Sequence, residues 1–275
     1  SAALLGAGSE VFGYDTPLST DHDWGPRVLL FLPEDDVPLE EEVGAFLRGA
    51  VPDTYAGFAV PPPGLPDSDR DVPVRAYLGP LRRYVREALG HDPDDPLDAA
   101  DWLTIPSQSL REMTAGEVFH DGLGTLEPLR RRLAYYPRDV WLYLLASGWQ
   151  RLGQEEHLMP RAGLLGDELG SSLIGARLVQ GMMHLCFLME RRYAPYSKWL
   201  GTAFGELACA GALRPLLWRA CTIGSASRRP SPSAPRPFSA APFASSGGSA
   251  LPAPSAPRSA IRPYAPSQRG GSSAG

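Results

Sequence analysis

The chain has 275 residues, with 26 basic and 31 acidic side chains, and a formal net charge of −5. This length is enough to bury a sizeable core and to form one or two domains. Up to Cys221 there are 20 basic and 31 acidic residues, a net charge of about −11, because the last 54 residues hold six arginines and no acid. Such an acidic balance argues against non-specific nucleic-acid binding, which normally needs a basic face.

The cysteine pattern and the apolar runs indicate the compartment. The three cysteines, Cys186, Cys209 and Cys221, have neither disulfide-type nor metal-type spacing. No apolar run reaches the length needed to span a bilayer. We therefore expect a cytoplasmic protein with no membrane partner. The chain has no initial Met and its first motif begins at residue 6, so we also expect that a preceding segment has been removed.

The first motif is a small-residue turn, Gly6-Ala7-Gly8-Ser9, followed by a predicted short helix over residues 9–14. Asp21 and Asp23 then precede an apolar run, and we predict the first strand over residues 23–32. Strand side chains alternate between faces, so the two carboxylates project to one side, close enough to share a hard cation. Mg²⁺ or Mn²⁺ is the expected cofactor, and the N–H groups of the turn suit phosphate oxygens.

The remainder of the first half alternates between helix and strand patterns. Acids crowd the first turn of the next helix, where the macrodipole favours them. Pro73 removes a ladder donor and favours an edge strand. The predicted elements are a helix over 38–49, strands over 55–60 and 72–77, a helix over 81–89 and an acidic linker over 91–101.

The second half is dominated by helical periodicity, and its apolar faces predict a bundle. Residues 119–122, Phe-His-Asp-Gly, are typical of a turn. Arg177 and His184 lie seven residues apart on one helix face and resemble a ribonuclease motif of helical bundles, although a structural histidine is the preferred interpretation. The predicted helices cover 126–135, 137–156, 164–192 and 196–218.

From Thr222 onward the chain is mostly Ser, Pro, Ala and Gly with isolated arginines, and it shows no periodic apolar face. Such a segment buries too little surface to offset the entropy of ordering, so the sequence predicts disorder over 222–275. An abrupt change of this kind is also typical of a shifted reading frame in GC-rich DNA.

The Gly-Ser turn followed by Asp-x-Asp on a strand resembles the signature of the polymerase-β-type nucleotidyltransferase superfamily. In that superfamily the turn binds the triphosphate, the two aspartates bind the metals, and a later strand supplies a third carboxylate. The resemblance implies phosphate binding by Gly8 and Ser9, and metal binding and catalysis by Asp21 and Asp23.

The third carboxylate departs from this pattern. In similar sequences an acid is expected at the position occupied here by Pro73, and Asp71 is the nearest acid on the same strand face. We predict that Asp71 takes the third catalytic place with shifted geometry. The alternative is a catalytically degraded nucleotide-binding module, and a nuclease-type helical bundle ranks below both.

Two longer strings are similar to an uncharacterised bacterial family, domain of unknown function 4037. They are Ser19-Thr20-Asp21-His22-Asp23-Trp24-Gly25-Pro26 and Tyr193-Ala194-Pro195-Tyr196-Ser197-Lys198-Trp199-Leu200-Gly201, and the likeness extends over about residues 1–218. Near the second string, Tyr196 and Lys198 are possible substrate contacts, as is His120.

Together these observations predict an α+β fold, with a small mixed-sheet domain, then an α-helical bundle and a disordered tail. The expected boundaries are a nucleotidyltransferase-like domain at 1–90, a linker at 91–101, a bundle at 102–221 and a tail at 222–275. The expected partners are a nucleoside triphosphate and an acceptor hydroxyl on an unidentified small molecule or protein.

Overall fold

A small mixed sheet at the N-terminal side of the chain is followed by a series of helices, so the predicted α+β class is confirmed. The computed structural model describes residues 1–20, 26–52, 54–55, 57–59 and 77–226. The described residues belong to one compact unit. The predicted domain boundary at residues 91–101 stays a prediction.

The main sheet has four strands in the order β5-β2-β1-β6. β1 pairs with β2 and β6 in antiparallel fashion, and β2 pairs with β5 in parallel fashion. β3 and β4, of two residues each, form a separate antiparallel pair. The strands are β1 Ala2–Leu4, β2 Leu29–Leu32, β3 Thr54–Tyr55, β4 Phe58–Ala59, β5 Tyr77–Pro80 and β6 Glu117–His120.

Most helices of the first 135 residues are short, and the longest helices, α7, α9 and α11, come later in the chain. 3₁₀ turns lie at Pro17–Thr20 and Glu34–Leu39. The α-helices are α1 Ser9–Phe12, α2 Glu40–Ala50, α3 Leu81–Leu89, α4 Ala99–Thr104, α5 Ser107–Thr114, α6 Leu126–Arg132, α7 Arg138–Glu155, α8 Leu158–Leu164, α9 Glu168–Met189, α10 Ser197–Phe204 and α11 Ala210–Ala226.

The strands depart from the sequence prediction in three places. Of the strand predicted over 23–32, residues 29–32 form β2, residues 26–28 are irregular, and residues 23–25 lie outside the described residues. The strand predicted over 55–60 is the β3–β4 hairpin, with Gly57 at φ +86° in its turn. The loop predicted at 119–122 contains the end of β6, which pairs with β1.

The helix predicted over 164–192 is confirmed with shorter bounds as α9, whereas the helix predicted over 196–218 is divided into α10 and α11. Gly166, at φ +80°, follows α8, and the Asp167 carboxylate then caps α9 by accepting the N–H of Gly170 at 2.8 Å. Residues 205–209 separate α10 from α11. α11 continues to Ala226, so its last five residues fall in the segment predicted as tail.

The buried side chains form two clusters. The first joins the sheet to helices α3 to α7 and includes Ala3, Phe31, Val85, Leu110 and Tyr193. The second joins Tyr14 to α9, α10 and α11. Tyr14 follows α1 and its C-cap Gly13, so this part of the chain packs against the later helices.

One described helix, α9, has the length and apolar composition that a membrane span needs. It packs against α7, α8 and α11 within the folded unit. A core helix of a soluble protein has the same properties, so this packing is compatible with a soluble protein, and the cytoplasmic location stays a prediction.

Candidate functional site

The glycine-rich turn between β1 and α1 has a backbone that only glycine adopts easily. Gly6 has φ +86° and Gly8 has φ +139°. The N–H of Gly6 donates to the carbonyl of Glu112 at 3.0 Å, which ties the turn to α5. A Cβ atom on Gly6 would collide with the hydroxyl of Tyr84. The turn is therefore set by backbone conformation and by close packing together.

The segment before β2 meets this turn because the strands are antiparallel. Ala2 pairs with Leu30 and Ala3 with Leu29, so the residues after β1 and those before β2 lie at the same end of the sheet. Arg27 lies in that segment, and its Nη2 is 3.0 Å from Oε1 of Glu10 on α1. The two side chains are 11% and 21% exposed, so this is a largely buried ion pair.

The Glu10 carboxylate also lies over Gly8. A Cβ atom at Gly8 would collide with both of its oxygens. The first N–H groups of α1 have no partner within the helix, and Gly8 offers no capping side chain. The Glu10 carboxylate thus lies next to the guanidinium of Arg27 and close to the backbone of Gly8.

The Ser9 hydroxyl is engaged inside the turn, where it donates to Oδ1 of Asp15 at 2.6 Å. The N–H of Tyr14 donates to the Ser9 carbonyl at 2.9 Å, and Gly13 ends α1 at φ +69°. Gly8 and Ser9 thus lie where α1 begins, as the sequence predicted, and their phosphate-binding role stays a prediction.

Tyr14 joins the turn to the helices. Its hydroxyl accepts a hydrogen bond from Nη2 of Arg111 at 2.7 Å, and its ring centroid is 5.3 Å from that of Trp199. Burial raises the pKa of Tyr14, and the nearby Glu206 carboxylate adds to this effect. The phenol therefore stays protonated at neutral pH and serves as a fixed hydrogen-bonding link.

The predicted contacts near α10 lie at the surface. Tyr196 is 48% exposed, and its N–H donates to Oε1 of Gln108 at 2.9 Å. The ammonium of Lys198 lies 5.0 Å from the ring centroid of Trp199. Because Trp199 packs on Tyr14, the start of α10 lies near the end of α1, and a substrate role for these two side chains remains a prediction.

His120 lies at the other end of β1 from the turn. It pairs with Ala2, whereas the turn follows Leu4. The neighbouring Asp121 accepts the Ser1 hydroxyl at 2.8 Å and the N–H of Glu127 at 3.0 Å. Asp121 therefore fixes the start of α6, whereas Phe119 and His120 belong to β6.

The predicted metal ligands, Asp21, Asp23 and Asp71, lie outside the described residues, as does Pro73. Among the residues described, no group of three or more His, Cys, Asp or Glu side chains could hold a metal ion. In the described part of the turn, the Glu10 carboxylate is paired with Arg27 and the Asp15 carboxylate accepts the Ser9 hydroxyl. A metal site here would rest on the two aspartates before β2.

Arg177 and His184 line a cavity of about 470 Å³ between α7 and α9. The Arg177 Nε donates to Oε2 of Glu155 at 3.1 Å. Burial, together with the charge of Arg151, lowers the pKa of His184, so the imidazole is neutral at pH 7. This arrangement agrees with the structural interpretation of His184.

A second concave surface was not predicted from the sequence. It is a groove of about 460 Å³ with five arginines in its lining, which we call the arginine groove. The arginines come from the end of α5, from α6 and from the loop after α9, so no local pattern signals their proximity. They are Arg111, Arg130, Arg131, Arg191 and Arg192.

One family model matches part of the chain. Residues 102–200 match the sequence model of a domain of unknown function (DUF4037). The match covers about a third of the chain and supports the likeness to this uncharacterised family. Searches of curated proteins and of solved structures gave no match.

Proposed function

We propose that this protein transfers a nucleotidyl group from a nucleoside triphosphate to an acceptor hydroxyl. The observation that carries the proposal is the Arg27–Glu10 ion pair at 3.0 Å. Arg27, which follows Asp23 by four residues in the sequence, therefore lies beside the Gly8–Ser9 turn. A triphosphate cradle and a carboxylate pair need to be neighbours of this kind for the chemistry to occur.

The phosphate-binding groups would be the backbone N–H groups that begin α1, together with the guanidinium of Arg27. α1 has only four residues, so its macrodipole contributes little. A triphosphate bound over Gly8 would replace the Glu10 carboxylate as the anion next to Arg27. Glu10 would then act as a placeholder that holds Arg27 in position while the nucleotide is absent.

Asp21 and Asp23 would hold Mg²⁺, which supplies positive charge to the triphosphate oxygens when it is bound. In the transfer, the acceptor oxygen forms a bond to the α-phosphorus while the bond to the bridging oxygen breaks and pyrophosphate leaves. The proton of the acceptor hydroxyl would pass to the Asp71 carboxylate. Arg27 and the turn would keep the β- and γ-phosphates aligned with the departing bond.

The test is a measurement of Mg²⁺-dependent nucleotide binding and pyrophosphate release with each of the four common triphosphates. We expect the double variant Asp21→Asn/Asp23→Asn to lose release by about 100-fold or more. Asp35→Asn/Asp36→Asn is the matched control, since it removes two acids from the 3₁₀ turn after β2. Release that survives in the first variant contradicts the proposal.

A second candidate function is favoured by Pro73, which stands where the superfamily pattern expects an acid. In this alternative the protein binds a nucleotide and acts through contacts with a protein partner. Triphosphate binding that is lost in Asp21→Asn/Asp23→Asn, without any pyrophosphate release from the unaltered chain, supports it. RNA cleavage abolished by His184→Ala but unaffected by Asp21→Asn supports a nuclease instead.

A further inference from the structure

The arginine groove concentrates positive charge in an otherwise acidic region of sequence. Five arginines and one glutamate, Glu127, are in its lining, whereas the chain up to Cys221 has 20 basic and 31 acidic residues. Like charges held in one groove repel each other unless an anion lies among them. The clustering therefore needs a physical reason beyond the composition of the chain.

Two of the five guanidinium groups have carboxylate partners. Nη2 of Arg192 is 2.7 Å from Oε2 of Glu206. Nη1 of Arg130 is 3.8 Å from Oε1 of Glu127, while its Nη2 donates to the carbonyls of Thr114 and Ala115 at 2.7 and 3.0 Å. Arg130 is thus anchored mainly by backbone oxygens, and Glu127 compensates its charge only weakly.

The other three guanidinium groups have no carboxylate within 4 Å in the described part of the chain. Arg111 donates to the carbonyl of Tyr193 at 3.1 Å and to the Tyr14 hydroxyl at 2.7 Å, and both acceptors are neutral. Arg191 lies over the ring of Trp141, 4.3 Å from its centroid. Arg131 is exposed on α6. These three charges are held in or near the groove without a counter-charge.

Arg191 gives an independent indication. Its φ is +52°, and it is the one described non-glycine residue with a positive φ. It lies directly after the C-cap of α9, a position that glycine usually occupies because the left-handed conformation disfavours a Cβ atom. The conformation costs about 1 kcal/mol. An arginine thus adopts, at a conformational cost, a backbone conformation that suits glycine better, at a position that lines the groove.

We infer that the arginine groove binds a compact small molecule with two or more phosphate groups. Guanidinium groups bind phosphate oxygens in a bidentate manner, and several of them together select for more than one phosphate. A volume of about 460 Å³ is in the range of small-molecule sites. A long nucleic acid would extend past the groove toward the acidic remainder of the chain, which favours the compact ligand.

The groove is separate from the turn but shares α5 with it. The carbonyl of Glu112 accepts the N–H of Gly6, and the preceding residue, Arg111, lines the groove. The ligand class inferred for the groove does not depend on nucleotide binding at the turn. The two sites can therefore be tested independently on the same protein.

The experiment is a calorimetric titration of the full chain with tripolyphosphate in EDTA, so that no divalent cation is present. We expect Arg131→Ala and Arg191→Gly each to raise the Kd about tenfold or more, because each removes charge-assisted hydrogen bonds. Arg161→Ala is the matched control, since it removes an exposed arginine of α8 that does not line the groove. Asp21→Asn/Asp23→Asn is expected to leave this Kd unchanged.

Arg191→Gly also separates binding from folding. The substitution relieves the left-handed conformation but loses the contact with Trp141, so we expect its Tm to stay close to that of the unaltered chain. A retained Tm with a weakened Kd supports the inference.

Three results would overturn it: no binding of tripolyphosphate, an equal effect of Arg161→Ala, or tighter binding of a 12-nucleotide RNA with a steep dependence on salt. The third result would identify the groove as a nucleic-acid site. The pyrophosphate-release assay remains a separate test of the turn.

Discussion

The glycine-rich turn and the arginine groove differ in how they are assembled. The turn is built from consecutive residues, Gly6 to Asp15, with Arg27 added by strand pairing. The groove is built from three segments that are up to about 80 residues apart in the chain. We propose anion binding at both, but only the turn has a local sequence pattern. Backbone donors need a particular local conformation, whereas guanidinium groups on long side chains can converge from distant helices.

The largest expected effect comes from α5, which serves both sites. Leu110 is fully buried on this helix. We expect Leu110→Ala to lower the free energy of unfolding by about 2–5 kcal/mol, because a cavity replaces the lost side chain. Urea denaturation measures this change, and both ligands should bind more weakly in the same variant.

Leu103→Ala is the control for that prediction. Leu103 is 42% exposed on α4, so we expect this substitution to lower the free energy of unfolding by less than about 1 kcal/mol. If both variants unfold at the same urea concentration, α5 is not the shared support of the two sites.

Gly8→Ala should affect the turn alone. Gly8 has φ +139°, and an added Cβ would collide with the Glu10 carboxylate. We expect a loss of about 1–3 kcal/mol in the free energy of unfolding and weaker binding of Mg²⁺-triphosphate. The affinity for tripolyphosphate in EDTA should stay unchanged, because the groove is not involved.

Gly13→Ala separates strain from collision. Gly13 has φ +69°, and nothing lies within 4 Å of a Cβ atom built there. We expect Gly13→Ala to lower the free energy of unfolding by about 1 kcal/mol and to leave nucleotide binding unchanged. Equal nucleotide affinities for the two alanine variants would mean that the space over Gly8 has no role in binding.

Tyr14→Phe removes the hydrogen bond between the turn and the groove. The Tyr14 hydroxyl accepts from Arg111 Nη2 at 2.7 Å. We expect a loss of about 1 kcal/mol in stability, typical of one hydrogen bond, as measured by denaturation. A double-mutant cycle with Arg111→Ala should show that the two effects are not additive. Additive effects would show that the sites are not coupled through this bond.

The smallest expected effect concerns His184, which belongs to neither site. Its folded-state pKa is lowered by burial and by Arg151, so the unfolded chain takes up its proton at a higher pH than the folded chain does. Stability should therefore fall as pH decreases below about 6.5 and level off below the folded pKa. Of the other charged groups that line the cavity, Arg177 is paired with Glu155.

Urea denaturation between pH 7 and pH 5 checks this prediction. His184→Gln should reduce the loss of stability, whereas His157→Gln, at an exposed position, should leave it unchanged. A steeper loss of stability in the His184 variant would contradict the prediction, because it would mean that protonation of the imidazole stabilises the folded chain.

Much of the local structure could be predicted from the chain. The helix of residues 81–89 and the helical region around Arg138 to Glu155 follow their apolar periodicity, and both are confirmed. The short helix after the Gly6–Gly8 turn is also confirmed, since it forms at Ser9–Phe12. These elements depend on residues close in sequence, so their patterns are visible without tertiary contacts.

β6 and the arginine groove could not be predicted. Glu117 to His120 is mostly exposed and has no alternating apolar pattern, so it becomes a strand only through its pairing with β1. Arg191 is unremarkable in sequence, and its left-handed conformation is decided by how α9 ends.

The sequence by itself determined the α+β class, the glycine turn and the order of its main helices, because these follow from residue size, periodicity and backbone freedom. The tertiary structure alone decided that Arg27 meets Glu10, that β6 completes the sheet and that five arginines share one groove. The physical reason is the range of the interactions. Propensity and turn conformation act over a few residues, whereas strand pairing and charge clustering join segments that the chain keeps far apart.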